Sequence, residues 1–377
     1  MAVMLIGPPD KDIRIMAPMI TGAENLLGSI LAGAVGDALG APVEFYTIDT
    51  IRRMYGPNGT TGYEEEYGGL GTITDDTQMT LFTMEGMIRF NVAVRTGQAP
   101  DRLMDPIQHA YQRWFHTQGP SWESARGRFD LPAPDGWLIT NKGLFSPRSP
   151  GSTVMSALRG FSRGAAMGSP ANKLNDSKGC GAVMRAAPVA LLGEDAFAYA
   201  VGTGALTHGN PSGYLSAGAH AHLIYLLLGG ANLPDAIAAT RQRLLDWDDH
   251  EEQVAAIDAA VELAALGRPT PEAIEEHLGG GWRGEQALAI GICTALVAKD
   301  LEDGLLLAVN HTGDSDSTGL VCGNILGAMH GVDAIPPHLL AGLELRDVIE
   351  QTTRDLLTEY GDSPPDTEEW RVRYPPW

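Results

Sequence analysis

The chain has 377 residues, of which 44% are hydrophobic, 19% charged and 7% aromatic, and 26 basic against 47 acidic side chains give a formal net charge of -21. That surplus excludes a surface that tracks phosphate backbones, since such binding needs Lys and Arg to displace counterions, and it obliges any anionic substrate to be met by a local pocket. Abundant Ala, Leu and Gly with few aromatics favour helices packed through small side chains, so the expected fold class is all-α.

The first dozen residues have an apolar start with no basic region before it, cut off by Pro8 and Pro9, and do not read as a signal peptide. No apolar run is expected to reach membrane-spanning length. From Leu26 the apolar residues recur as Leu26/Leu27, Ile30/Leu31, Ala34/Val35 and Ala38/Leu39, one face of a helix. Gly28, Gly33 and Gly36 line much of the remainder, which asks for close approach of another backbone or of a ligand. Further helices are predicted over 77–90, 104–115, 152–164, 197–206, 214–228, 234–247, 253–266, 285–299, 304–310 and 320–330, with hardly any competing strand signal.

Residues 116–151 carry Pro120, Pro132, Pro134, Pro147 and Pro150, and read as a long structured loop beside or over a cleft. The expected organisation is an N-terminal extension (1–23), a catalytic domain (24–340) and a C-terminal helix and tail (341–377) packed on the same domain. Cys180, Cys293 and Cys322 have no paired spacing, which argues for a reducing cytoplasm and against a disulfide framework or a thiolate zinc site.

Two segments concentrate carboxylates and hydroxyls. Thr74-Asp75-Asp76-Thr77-Gln78 leads into a predicted helix, where Asp75 and Gln78 resemble a capping box; capping needs one oxygen side chain, and three stand here in a row. The second, GDSDSTG (313–319), alternates Asp314, Asp316 and hydroxyls, the donors that hard divalent cations prefer. It imitates the first half of an EF-hand loop, but Ile325 stands where the closing Glu would be, so further ligands must come from elsewhere. Gly279, Gly281 and Gly284 spell a dinucleotide pattern that no strand precedes, and it is discounted. His220 and His222, within a helical stretch, read as structural.

With both segments in view, the chain resembles the ADP-ribosylglycohydrolase family, which includes dinitrogenase reductase-activating glycohydrolases and eukaryotic ADP-ribosylhydrolases. Five blocks in family order carry the resemblance: GSILAGAVGDALGAPVEF (28–45), TDDT (74–77), KGCGAVMR (178–185), THGNP (207–211) and GDSDSTG (313–319). The resemblance implies a multi-helix bundle with a metal site in a central cleft. Two divalent ions, Mg²⁺ or Mn²⁺, would be held by Thr74, Asp75, Asp76, Asp314, Asp316 and Ser317, with Ser in place of a frequent Thr. Catalytic roles fall to Asp75, Asp76 and Glu44, although Glu44 after Pro42 also reads as a surface residue at a helix end.

Lys178, Gly179, Cys180, Gly181 and His208 match substrate-binding positions, with Cys where several members have Asn. Lys178 and Arg185 offer local positive charge, and an Arg followed by Ala186 and Ala187 also reads as solvated. The implied activity is hydrolysis of the bond between ADP-ribose and an acceptor, foremost a protein arginine, by a monomer with no membrane or general nucleic-acid partner. Other ADP-ribosyl or ribosyl glycosides, two-metal phosphoester hydrolysis and a non-catalytic binding role remain as alternatives.

Overall fold

Oxygen side chains and prolines start many of the helices, and glycines stop several. The computed structural model describes residues 22, 24–98 and 102–376; the expected extension 1–23 lies outside them apart from Gly22. In chain order the helices are α1 (Asn25–Gly40), α2 (Ile48–Tyr55), α3 (Asp75–Arg95), α4 (Met104–Thr117), α5 (Trp122–Ala125), α6 (Ser152–Ser162), α7 (Ala196–Ala205), α8 (Pro211–Leu228) and α9 (Leu233–Leu244). There follow α10 (Glu251–Ala265), α11 (Pro271–Leu278), α12 (Gly284–Val297), α13 (Leu301–Val309), α14 (Ser315–His330), α15 (Pro337–Gly342), α16 (Arg346–Glu359) and α17 (Glu368–Arg373).

Thr74, Asn210, Asn232, Thr270 and Asp300 each accept a backbone N–H from the first turn of the helix they precede, and Pro211 and Pro271 occupy first helical positions, where a missing N–H costs nothing. Gly56, Gly279 and Gly331 end α2, α11 and α14 at positive φ. The expected all-α class is what the chain adopts. Among the described residues the strands are a two-residue pair, Glu65–Glu66 against Gly69–Leu70. Helices α2 and α11, eight residues each, are too short for periodicity to register.

The centre of the molecule is the antiparallel pair α1 and α14. A Cβ placed on Gly36 would stand 2.1 Å from the Gly319 carbonyl oxygen, and one on Gly28 would stand 2.7 Å from that of Gly327. The α1 glycines therefore serve backbone-to-backbone approach. This contact brings the C-terminal end of α1 beside the N-terminal end of α14: a Cβ on Gly40 would meet the Ser315 and Asp316 backbone. Against the expectation that no apolar run is long enough, α1 and the turn after it do match a bilayer span in length and composition; every residue from Leu26 to Val43 is buried inside the protein. Other helices pack round this pair, and one apolar cluster extends from Leu26 to Tyr374.

Candidate active site

The first turn of α3 is held from α1. Both oxygens of the Asp37 carboxylate accept the Thr74 N–H at 3.1 Å, and one of them also takes the Thr77 N–H at 3.1 Å and the Thr77 hydroxyl. The cap is Thr74, whose Oγ1 accepts the Asp76 N–H at 3.2 Å. The capping box expected from Asp75 and Gln78 does not form, because Thr74 and Asp37 already meet the need of the free amides. Asp75 and Asp76 are thereby released to face the cleft, and Asp75 Oδ2 accepts the Gly151 N–H at 3.3 Å.

The second segment is held as firmly. Asp314 donates its N–H to the Gly280 carbonyl at 2.7 Å, and α14 starts at the next residue, so Asp316 and Ser317 lie in its first turn. The Ser317 hydroxyl donates to Asp76 Oδ2 at 2.7 Å, across 241 residues of sequence. The two remote acidic stretches thus meet.

Glu44 completes the cluster. Ligand atoms of Glu44, Asp314 and Asp316 all lie within 4.8 Å of one another, and Glu44 Oε2 is buried without a partner. The surface reading of Glu44 is corrected: it is 7% exposed. Burial, then the carboxylates of Asp316, Asp314 and Asp75, push its pKa from 4.5 up to about 11. Burial and Asp316 lift Asp37 from 3.8 to about 7. Asp75, Asp76 and Asp314 are raised well above the carboxylate range for the same two reasons, and Asp316 is raised by burial. Among the described residues, no Lys or Arg forms an ion pair with any of these six. Buried carboxylates gathered without counter-charge, with hydroxyls between them and an orphaned oxygen, are a donor set suited to divalent cations.

Glu44, Asp75, Asp76, Asp314 and Asp316 line a cleft of about 370 Å³ with Gly179, Cys180, Gly181, His208 and the segment from Ser149 to Thr153, while Asp37 stands behind it on the Thr74 and Thr77 amides. The Cys180 Sγ lies 2.7 Å from Asp314 Oδ2. His208 is 1% exposed, and burial with Arg185 nearby lowers its pKa to about 3, so the ring is neutral. Arg185 donates to Thr207 Oγ1 at 2.7 Å, and that hydroxyl lies 2.8 Å from His208 Nδ1 but 3.4 Å from the Gly204 carbonyl. The hydroxyl's single proton therefore goes to Nδ1, leaving Nε2–H as the donor on the side of the glycine loop.

Two expectations about charge are corrected. Arg185 is fully buried, neither solvated nor in the cleft; its guanidinium stands 4.5 Å from the centroid of the Tyr111 ring. Lys178 is turned away, its ammonium 2.6 Å from Glu252 Oε2. His220 and His222 are structural, bonded to Asn324 and Thr240.

Sequence reasoning missed Asp37, whose signal was a lone carboxylate inside an otherwise apolar helix. It also missed Phe45 and Trp282, which stack at the cleft mouth with centroids 5.8 Å apart while 69% and 45% exposed. Trp282 lies among the discounted glycines, whose role proves to be packing: a Cβ on Gly281 would stand 3.2 Å from that of Asp314.

Comparison with known proteins identifies the family. The family profile described as ADP-ribosylglycohydrolase matches residues 19–365. An uncharacterized protein of Archaeoglobus fulgidus is 28% identical over 350 residues, 88% of this chain and 96% of its own length. The ADP-ribosyl-[dinitrogen reductase] glycohydrolase of Rhodospirillum rubrum is 25% identical over 335 residues, 86% of this chain and 91% of its own. A solved structure described as an ADP-ribosylglycohydrolase-related protein complex superposes with a TM-score of 0.61 at 24% identity, over 90% of this chain and all of that one; it speaks for the fold alone. With a match over nearly its whole length, this chain belongs to the ADP-ribosylglycohydrolase family and is a glycohydrolase enzyme.

Proposed function

We propose that the enzyme cleaves the glycosidic bond between ADP-ribose and an arginine side chain of a modified protein, with two divalent cations, Mg²⁺ or Mn²⁺, as cofactors. Thr74, Asp75, Asp76, Asp314, Asp316 and Ser317 would hold them. The observation that carries this reading is the bond from Ser317 to Asp76, which joins the two acidic stretches next to the unpartnered Oε2 of Glu44. When bound, such ions supply Lewis acidity and neutralise the crowded carboxylates, which lets a water lose its proton near neutral pH.

The chain's own residues do the rest. Glu44 is placed to accept the proton of the attacking water or to hand one to the departing nitrogen, since its free Oε2 is the one carboxylate oxygen of the cluster that is buried with no partner. Asp75 and Asp76 share the cleft and the same role in orienting that water. The amide of Gly181, with Nε2–H of His208, is a donor suited to a diphosphate or to ribose hydroxyls, while the Gly179 N–H is taken by the Ser177 hydroxyl. Phe45 and Trp282 offer flat apolar faces to a base. The three cysteines are free, in keeping with action in the cytoplasm, where we place the enzyme as a monomer.

The test is a panel of ADP-ribosylated arginine, serine and nucleotide substrates, with and without Mn²⁺ and with Asp316→Ala as control. Release of intact ADP-ribose from the arginine substrate, dependent on Mn²⁺ and absent in the variant, is the expected result. AMP or inorganic phosphate as product, or turnover that survives chelation, would refute it.

A further inference from the structure

The acidic centre is not made of oxygen alone. Cys180 opens the helical turn from Cys180 to Arg185, and its N–H is fixed by the Trp282 carbonyl at 3.2 Å. Glycine stands on either side of it, and the half-buried thiol reaches Asp314 Oδ2 at 2.7 Å. The other two cysteines, Cys293 and Cys322, are buried with 0% exposure in the apolar core, so Cys180 is the thiol that faces the cleft.

Independently of the thiol, Glu44 is more than nine-tenths buried, its Oε2 has no partner, and it lines the same cleft. Glu44, Asp314 and Asp316 bring ligand atoms within 4.8 Å of one another. Cys180 joins this cluster through Asp314, so a cation held by these oxygens has a sulfur donor beside it. We propose that Cys180 converts this centre into a mixed sulfur–oxygen site that captures thiophilic divalent cations, of the Zn²⁺ and Cd²⁺ class, in competition with Mg²⁺ and Mn²⁺. The inference rests on the reading of the centre as a cation site.

The physical basis is donor softness. Carboxylate and hydroxyl sets suit Mg²⁺ and Mn²⁺, whereas a sulfur ligand favours Zn²⁺ and its heavier relatives. On capture the S–H bond breaks, its proton leaves to water, and a sulfur lone pair forms the bond to the cation; no electron changes hands. At ordinary Zn–S and Zn–O lengths a tetrahedral ion holds its sulfur and oxygen ligands about 3.6 Å apart. Cys180 and Asp314 stand 2.7 Å apart, so they need part by less than about 1 Å. A single occupied position of this kind removes Asp314, Asp316 and Glu44 from the hard-cation set, so Zn²⁺ acts as an inhibitor that Mn²⁺ relieves at high concentration.

The full-length protein, stripped of metal, tests this. Cd²⁺ titration is followed by the ultraviolet sulfur-to-cadmium charge-transfer band, Zn²⁺ by calorimetry and Mn²⁺ by thermal shift, in the native protein and in Cys180→Ser. The band is expected in the native protein and absent in the variant, with Zn²⁺ affinity reduced more than about tenfold while Mn²⁺ still stabilises both. An equal band, or equal Zn²⁺ affinity, in the two proteins overturns the proposal. Mn²⁺ stabilising neither protein overturns the underlying hard-cation reading instead, and the cadmium band keeps the two failures apart.

Discussion

Replacing Gly36 by alanine tests whether contact between α1 and α14 sets the geometry of the site. The new methyl carbon would lie 2.1 Å from the Gly319 carbonyl oxygen, against ordinary contact from 3.4 Å, so the helices must move apart by about 1.3 Å. Overpacking of this kind costs about 1–3 kcal/mol, and alanine returns about 1 kcal/mol of helix propensity. Unfolding entropy near 2.1 cal/mol/K per residue gives about 0.8 kcal/mol/K for this chain, so the melting temperature should fall by less than about 3 °C. Function should suffer far more. Asp37, Asp316 and Ser317 ride on the two helices being parted, and a misplacement of about 1 Å typically costs about a hundredfold in rate. Calorimetric melting with and without Mn²⁺, together with kcat/KM, measures both. Gly160→Ala in α6, where the nearest atom to the added carbon is 3.8 Å away, is the control and should leave both unharmed. A Gly36→Ala protein that keeps native kcat/KM would show that the interhelical distance does not control the site.

Two further outcomes follow from the same geometry. In metal-stripped protein, Asp37 at about 7 and Glu44 at about 11 lie above their unfolded values of 3.8 and 4.5; groups raised on folding give their full stability below the unfolded pKa and lose it as pH rises through the folded one. The melting temperature should therefore decline from about pH 5 to about pH 8, and saturating Mn²⁺ should flatten the decline; a metal-stripped protein that gains stability over that window contradicts the assignment of these groups. Trp282→Ala should raise KM about two- to tenfold with little change in kcat, as loss of an exposed stacking face worth about 0.5–1.5 kcal/mol does; a fall in kcat with KM unchanged would place Trp282 at the reacting atoms.

What was legible in the sequence was local, and what was not was the pairing of distant groups. The runs Thr74 to Asp76 and Asp314 to Ser317 announced themselves because carboxylates and hydroxyls were adjacent in sequence. Their meeting through Ser317 and Asp76 spans 241 residues, and no spacing argument reaches that far; the family resemblance supplied it. Asp37 was hidden because a single carboxylate within an Ala- and Gly-rich helix looks like a solvated interruption, while its actual partners, the amides of Thr74 and Thr77, belong to another helix. The capping box failed for a related reason: a cap donated from a different helix leaves no trace next to the residues it caps. Arg185 looked like a solvated or substrate-facing charge, yet Tyr111 and Thr207, which enclose it, are 74 and 22 residues away. Glycine spacing in α1 did register, since close helix approach leaves its mark directly in composition.

Charge balance links these findings. A protein with a net charge of -21 that handles a diphosphate needs some positive partner for it, and Lys178 and Arg185, the residues expected to provide it, are spent on Glu252 and on Thr207. No Lys or Arg is among the described residues lining the cleft. The sources of positive potential left are backbone amides, the N-terminal ends of α3 and α14, and whatever cations the carboxylates lining the cleft hold. Those helix ends already face Asp75, Asp76 and Asp316, so on the proposed reading the Gly181 amide and the cations would meet the substrate's charge between them. Binding of substrate and of cation then depend on each other, and by reciprocity each must tighten the other by the same factor. The acidity that repels an anion from the surface at large would, on this reading, gather at this one place the ions that attract it.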